Sequence, residues 1–166
     1  KDLDKIYHYD DLYNLQKAKD INYVSCLFLN GCIENAKSIT QGGVNYGISN
    51  IMFLGNITVI DSLAIIKQFV FDEKSLTMQE LINALKNNWA GYENLKMSIS
   101  KQGRFFGNDD STSNYSAKIF YDALYEYVKN KKTVFGYPAL IGDHTGYRLH
   151  FKWFGEGTKA TPDGRY

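Results

Sequence analysis

The sequence predicts an α/β unit, rich in helix and carrying about three strands, on three observations. Stretches with apolar residues at helical spacing alternate with short apolar runs of strand length. The helical stretches are long enough to cross over between parallel strands, and glycine- or turn-rich segments separate the elements. Three strands are too few to complete a barrel or a doubly wound sheet.

Across residues 2–20, Leu3, Ile6, Tyr7, Leu12, Tyr13 and Leu15 recur among charges and predict an amphipathic surface helix. Residues 25–38 continue with Leu27, Phe28, Ile33 and Ala36, which predicts a second helix kinked or restarted at Asn30-Gly31. Gly42, Gly43 and Gly47 mark a loop whose backbone turns sharply or approaches something closely. Residues 51–57 suit a buried strand. Thr58-x-x-Asp61 then predicts a helix start, with Leu63, Ile66, Phe69 and Val70 on one face.

Thr77-x-x-Glu80 is a cleaner capping box, opening a helix with Met78, Leu81, Ile82 and Leu85 inward and Gly91 as its stop. Residues 103–114 are polar and turn-rich. Residues 115–130 carry Ile119, Phe120, Leu124 and Val128 on an amphipathic helix, closed by lysines that suit the negative end of its dipole. Residues 137–141 and 147–154 are short aromatic and apolar stretches bounded by glycines and predict two further strands.

Composition narrows the class. With 44% hydrophobic and 15% aromatic residues, the 166-residue chain can bury one domain's core and is too apolar for disorder. Lys plus Arg number 19 against 18 Asp plus Glu, so no face is dedicated to phosphate backbones or acidic lipid, and neither nucleic acid nor membrane is an expected partner. No run approaches membrane-spanning length and no secretion signal is evident, so a reducing, cytoplasmic setting is expected. Cys26 and Cys32 lack a second Cys/His cluster to complete a metal site and read as two reduced, largely buried thiols. The sequence starts at Lys1 without Met and stops just after Pro162-Asp163-Gly164, so both ends read as cut and residues 1–166 as a single segment of a larger domain.

Four groups of residues invite chemistry. The 42–47 glycines lack the Lys-Ser/Thr of a P-loop and the spacing of a dinucleotide turn, so a phosphate cradle is not expected. Cys32 and Glu34 place a thiol two residues from a carboxylate, a nucleophile or thiyl beside a general acid/base. On a helix, residues two apart do not share a face, which favours a packed Cys32 with Glu34 in water. His144 and His150 flank Tyr147 and Trp153, as proton shuttles or ordinary hydrogen-bonded histidines. Asn108-Asp109-Asp110 lacks the Gly and terminal Glu of a calcium loop and is better read as capping a helix from Ser111.

In order along the chain, Asn30-Gly31-Cys32-Ile33-Glu34, Ile39-Thr40-Gln41-Gly42-Gly43 with Asn45-Tyr46, Asp61-Ser62-Leu63-Ala64, Phe69-Val70-Phe71, Phe106-Gly107-Asn108-Asp109-Asp110 and Ala160-Thr161-Pro162-Asp163-Gly164-Arg165 resemble the glycyl-radical enzymes of the pyruvate formate-lyase type. The resemblance implies a segment of a ten-stranded α/β barrel, lying upstream of the glycyl-radical domain. In that barrel, finger loops bring a catalytic Cys to a C-terminal Gly that stores a radical installed by a radical-SAM activating enzyme. It further implies a small organic substrate cleaved at a C–C, C–O or C–N bond, and is compatible with a homodimeric parent.

Cys32-Ile33-Glu34 resembles the family's catalytic Cys-x-Glu. It is followed closely by Thr40-Gln41-Gly42-Gly43, however, and lies too near Thr161, which in the family marks a second, non-catalytic copy. The thiyl role is therefore not carried onto Cys32. The Arg-Val-x-Gly-aromatic pattern of the radical loop is not present in these residues, so no cofactor is expected here and the chain alone is expected to be inactive. The stretch from Gly142 to His150 departs from the family's Ser-x-x-x-His-Val version, which argues against formate-lyase activity proper. Read as a barrel strand, it sets Tyr147, Leu149 and Phe151 on one face and Arg148, His150 and Lys152 on the other, with Tyr147 and His150 as candidate substrate contacts. Two other classes compete: a non-catalytic barrel remnant that binds or assembles, and a free-standing thiol enzyme using Cys32 and Glu34.

Overall fold

The computed structural model describes residues 2–143 and 148–165. The chain folds as two compact units: Lys1–Ile51 with Tyr125–Gly142, and Met52–Leu124 with Asp143–Tyr166.

The first unit opens with α1 (Asp2–Lys17), within the stretch where apolar spacing predicts a helix, with acids in the first turn and Lys17 in the last. The helix is not amphipathic, however: Tyr7 is buried, while Ile6, Leu12, Tyr13 and Leu15 are exposed. At 3.6 residues per turn those positions spread around most of the helix axis, so no apolar stripe forms. Residues 25–38 also depart from expectation. Helix α2 (Tyr23–Cys26) is a single turn capped by Asn22, and Gly31 (φ 102°) and Ala36 (φ 49°) in left-handed backbone rule out its continuation. A 3₁₀ turn, Ile39–Gln41, follows, opened by a capping box between Ser38 and Gln41.

Strands β1 (Ser49–Phe53) and β2 (Ala139–Asp143) pair with each other, and Ser49 N–H donates to the Pro138 carbonyl (3.2 Å). Each overlaps the stretch expected for it: β2 is shifted by two residues, and β1 starts two residues earlier and ends four earlier. Tyr7, Val128 and Ala139 form the unit's small core, with Ile51, Tyr127 and Ile141 against it. Beside it, the Tyr127 hydroxyl (2.5 Å) and Lys131 Nζ (3.3 Å) donate to Asp4 Oδ1, and the Lys131 ammonium lies 4.4 Å from the Tyr127 ring centre.

The bonds from Tyr127 and Lys131 lower the Asp4 pKa from 3.8 to about 2. Because the folded-state value is the lower one, their contribution is complete above the unfolded value of 3.8 and is lost as pH falls through about 2. Urea midpoints of the wild type and Asp4→Asn, measured across that range, are expected to converge as pH falls. A gap that stays constant with pH would contradict the assignment.

In the second unit, Gly55 (φ 83°), not Thr58, precedes α3 (Asn56–Ile65), and the helix widens into a π stretch, Ile66–Asp72. The inward residues are Ile60, Ala64, Ile65 and Phe69, with Ile66 and Val70 partly buried, while Leu63 is exposed. The wider i→i+5 turns, such as Glu73 N–H to Gln68 carbonyl (2.8 Å), shift the register that a uniform 3.6 period assumes. Buried Gln68 is fully engaged: its amide donates to Glu73 (2.8 Å) and the Gln102 carbonyl (3.0 Å), and accepts from Arg104 N–H (3.0 Å).

The Thr77–Glu80 capping box forms as predicted at the head of α4 (Met78–Lys86). Glu80 N–H donates to Thr77 Oγ1 (3.2 Å) and Thr77 N–H to Glu80 Oε2 (2.9 Å). Leu81 is buried and Leu85 packs on the core, while Met78 and Ile82 face outward. The helix ends before Gly91, with Asn88 and Trp89 already at positive φ. Helix α5 (Glu93–Gln102) occupies a stretch whose Leu95, Met97 and Ile99 alternate like a strand. Only Leu95 and Ile99 share a helical face, and those two meet the core.

Asp110 caps α6 (Ser111–Val128), accepting from the Thr112 (2.8 Å) and Ser113 (3.1 Å) N–H groups, so the acidic triplet is a helix cap. Among the described residues no cluster of three or more potential metal ligands occurs. The expected strand at 147–154 is corrected: residues 148–158 are α7 (Arg148–Thr158). Its aromatic alternation is as short as a strand, but Lys152 and Glu156 pair at i,i+4 (4.0 Å) and Thr158 Oγ1 donates to the Phe154 carbonyl (2.6 Å), both helical spacings.

Candidate functional site

The chemistry-bearing residues of the first unit gather around the turn that follows α2. Gly31 holds a backbone open to glycine alone, because a Cβ there would overlap Asn45. The turn is pinned by four hydrogen bonds: Asn45 N–H to the Asn30 carbonyl (3.0 Å), Asn35 N–H to the Gly31 carbonyl (2.8 Å), Lys37 N–H to the Cys32 carbonyl (3.0 Å) and Gly31 N–H to Glu34 Oε2 (3.0 Å). Cys32 is 3% exposed and Glu34 is exposed. Glu34 thus spends its carboxylate on the turn's own backbone, while the thiol points inward.

Burial pushes the Cys32 thiol above the ordinary cysteine range, and the neighbouring Cys26 thiol and the Glu34 charge push it further. Burial also pushes the Cys26 thiol up, but the Ile39 N–H, the Ser38 hydroxyl and Cys32 outweigh it, and Cys26 titrates below the ordinary range. Ser38 is the hub of this corner. Its Oγ accepts from Asn22 N–H (3.1 Å), and the adjoining Thr40 hydroxyl donates to the Asp20 carbonyl (2.6 Å). Sequence reasoning overlooked Ser38, although Ser38-x-x-Gln41 is itself a capping-box pattern that identifies it.

The glycine loop approaches the protein's own atoms. A Cβ at Gly42 would lie 2.9 Å from Phe135, one at Gly43 would overlap the Lys37 carbonyl oxygen, and one at Gly47 would enter the Tyr137 ring. The Tyr137 hydroxyl donates to the Val44 carbonyl (2.8 Å) and Asn35 Nδ2 to the Gly43 carbonyl (2.9 Å), closing the loop over itself. The Gly42, Gly43 and Asn45 N–H groups are bonded to the Ile39, Ser38 and Asn30 carbonyls, which engages three of the donors a phosphate would need.

In the second unit, the buried Asp61 carboxylate accepts from Phe106 N–H (2.7 Å). Burial raises its pKa, and Asp163 across from it raises it further. Asp163 accepts from the Thr161 hydroxyl (2.5 Å), and the Arg165 carbonyl accepts from both Trp89 Nε1 (3.1 Å) and Thr161 N–H (2.8 Å). The segments Asp61-Ser62-Leu63-Ala64, Phe106-Gly107-Asn108-Asp109-Asp110 and Thr161-Pro162-Asp163-Gly164-Arg165 therefore meet in space, as structural partners of one another. Of the remaining candidates, His144 and Tyr147 lie outside the described residues, and the side chain of His150, on α7, does so too.

Comparison with known proteins decides the family. The pyruvate formate lyase-like family model matches residues 13–142. The chain belongs to that family. It is 35% identical over 154 residues to (2S)-3-sulfopropanediol dehydratase of Klebsiella oxytoca, covering 90% of this chain and 18% of that enzyme. It is 35% identical over 134 residues to trans-4-hydroxy-L-proline dehydratase of Clostridioides difficile, covering 81% and 17%.

Among solved structures, the hydroxyproline dehydratase of Clostridioides difficile superimposes with a TM-score of 0.75 at 33% identity, over 82% of this chain and 17% of that one. A glycyl radical enzyme from Archaeoglobus fulgidus shares the fold over 96% of this chain, with a TM-score of 0.82 at 24% identity. This pyruvate formate lyase-like chain thus matches part of the glycyl-radical-enzyme fold and spans under a fifth of its relatives' length. Among the described residues no helix is long and apolar enough to cross a membrane.

Proposed function

We propose that this chain is an internal scaffold segment of the ten-stranded barrel of a cytoplasmic glycyl-radical lyase, dehydratase or decarboxylase, inactive when isolated. The parent acts on a small organic substrate by radical C–C, C–O or C–N cleavage, after a radical-SAM partner installs its glycyl radical. The observation that carries this reading is the match of residues 13–142 to the family, together with a span of under a fifth of relatives named as dehydratases.

No residue here matches the radical glycine, so no step of the radical chemistry is assigned to this chain. Cys32 is read as the structural copy of Cys-x-Glu, because its thiol is buried and its pKa raised, and because Glu34 is committed to the Gly31 backbone. Tyr147 and His150 remain the proposed substrate contacts, and the parent is proposed to be a homodimer.

The test is anaerobic activation of the intact parent, encoded by the gene that contains this sequence. A doublet paramagnetic spectrum centred on a glycine downstream of Tyr166 is expected, with none from the isolated chain treated identically. An intact gene product that ends without such a glycine and gives no doublet would establish a barrel remnant instead.

A further inference from the structure

Asn30 is followed by Gly31, and no other asparagine of the chain precedes a glycine. The pairing carries its own chemistry. The backbone nitrogen of the next residue can attack an asparagine Cγ, and a glycine there has no Cβ to obstruct the approach. Asn30 is exposed, so its carboxamide meets water. Its peptide bond to Gly31, however, is held at both polar groups. The Asn30 carbonyl accepts from Asn45 N–H (3.0 Å), and Gly31 N–H donates to Glu34 Oε2 (3.0 Å). Beyond it the Gly31 carbonyl accepts from Asn35 N–H (2.8 Å), and Asn45 fills the space where a Cβ would stand.

We propose that Asn30 is a spontaneous deamidation site and that Glu34 is the residue that holds the reaction in check. In the reaction, Gly31 N gives up its hydrogen and bonds to Asn30 Cγ. The Cγ–Nδ2 bond breaks and the amide nitrogen leaves as ammonia, with that hydrogen on it. A cyclic imide remains. Water adds to one of its two carbonyl carbons and the C–N bond there breaks, which leaves an aspartate or an isoaspartate at position 30. No atom changes oxidation state, and water is the single co-reactant.

The lock is geometric and electrostatic. Attack needs rotation about the Asn30 Cα–C bond, and the peptide unit is planar, so one rotation withdraws its N–H from Glu34 and its carbonyl from Asn45 together. A carboxylate is far too weak a base to strip an amide N–H, so the Glu34 bond keeps the hydrogen on the nitrogen. The Glu34 charge also opposes the amide anion that attacks. Once formed, an isoaspartate lengthens the main chain by one carbon in the turn that carries Cys32, and the bonds to Asn45 and Glu34 cannot both keep their present register. Nothing in this depends on the function of the parent.

The experiment incubates the full-length protein at mildly alkaline pH, native and in urea, digests it at acidic pH and maps the peptides by mass. In urea the wild type is expected to deamidate at Asn30 ahead of its other asparagines, and at least about tenfold faster than in the native state. Glu34→Ala, shown to be folded by circular dichroism, is expected to raise the native rate about tenfold, the worth of one hydrogen bond to a charged group. Glu34→Gln keeps an acceptor without the charge and is expected to fall between the two, and it decides the matter alone if the alanine variant does not fold. A native wild type that deamidates as fast as the unfolded one would overturn the proposal, as would Glu34 variants no faster than the wild type. Variants slower than the wild type would make the carboxylate a promoter of the attack and overturn it equally.

Discussion

Trp89→Ala is expected to destabilise the second unit by about 3–5 kcal/mol, the range for removing a large buried aromatic. Trp89 is 3% exposed and packs among Ile65, Phe69, Leu81 and Ile99, and its indole N–H is the tie between the 87–92 turn and the Arg165 carbonyl. Truncation opens a cavity, leaves that carbonyl with Thr161 N–H alone, and keeps an alanine at φ 66° where the packed ring had enforced the turn. Trp89→Phe retains most of the packing and is expected to cost about 1 kcal/mol, the worth of a hydrogen bond. Denaturation followed by circular dichroism measures both values, and hydrogen exchange at Gly164, whose N–H bonds to the Thr161 carbonyl (3.0 Å), locates the loss. Equal costs for the two variants would show that the indole packing contributes nothing beyond its hydrogen bond.

Gly43→Ala should cost at least about 3 kcal/mol, the upper end of overpacking penalties. The added carbon would overlap the Lys37 carbonyl oxygen and lie 3.0 Å from that of Ser38, and both are backbone atoms. Neither side can retreat: Lys37 N–H is bonded to the Cys32 carbonyl, Gly43 N–H to the Ser38 carbonyl (2.9 Å), and the Gly43 carbonyl to Asn35. Gly55→Ala is the control. It has open space around it and φ 83°, so it meets only the left-handed backbone penalty of about 1–2 kcal/mol. The difference between the two urea midpoints isolates crowding from backbone conformation. If Gly55→Ala costs as much, the close approach at Gly43 is not what holds the loop.

How far the sequence carried depends on how each element is specified. Helices with end signals were legible: Thr77 and Glu80 act where their spacing puts them, and Asp110 caps α6. Strands β1 and β2 were legible as short apolar runs bounded by turn residues. Where tertiary contacts choose the conformation, local pattern misled. Residues 25–38 have helix-compatible composition, but Gly31 and Ala36 take left-handed backbone, and the turn is tied to residues 43 and 45, which lie outside the 25–38 stretch. The aromatic alternation of 148–154 fits a helix and a strand equally well. Helix α1 starts where predicted and ends at Lys17, three residues short of the expected stretch, and it lacks the predicted apolar face.

The site was legible in a different way. The glycine cluster announced a close approach, yet only the fold reveals that Phe135, Tyr137 and Lys37 are what it approaches. The family strings around Asp61, Asp110 and Thr161 were read separately, and the fold brings them together: Asp61 accepts from Phe106 N–H, and the Asp163 charge raises the Asp61 pKa. The proposal that Cys32 is not a reactive cysteine rests on the order of motifs, and the burial of its thiol and the engagement of Glu34 by the Gly31 backbone support it.

The central claim, that this chain supplies barrel scaffold and that Cys32 is not the thiyl cysteine, is tested most directly by turnover of the activated full-length parent carrying Cys32→Ala, with the glycyl doublet and circular dichroism recorded on the same sample. Turnover per radical within a few-fold of the wild type is the predicted result. A variant that folds and holds its glycyl radical but has lost turnover altogether would place the substrate-attacking sulfur at Cys32 and contradict the account.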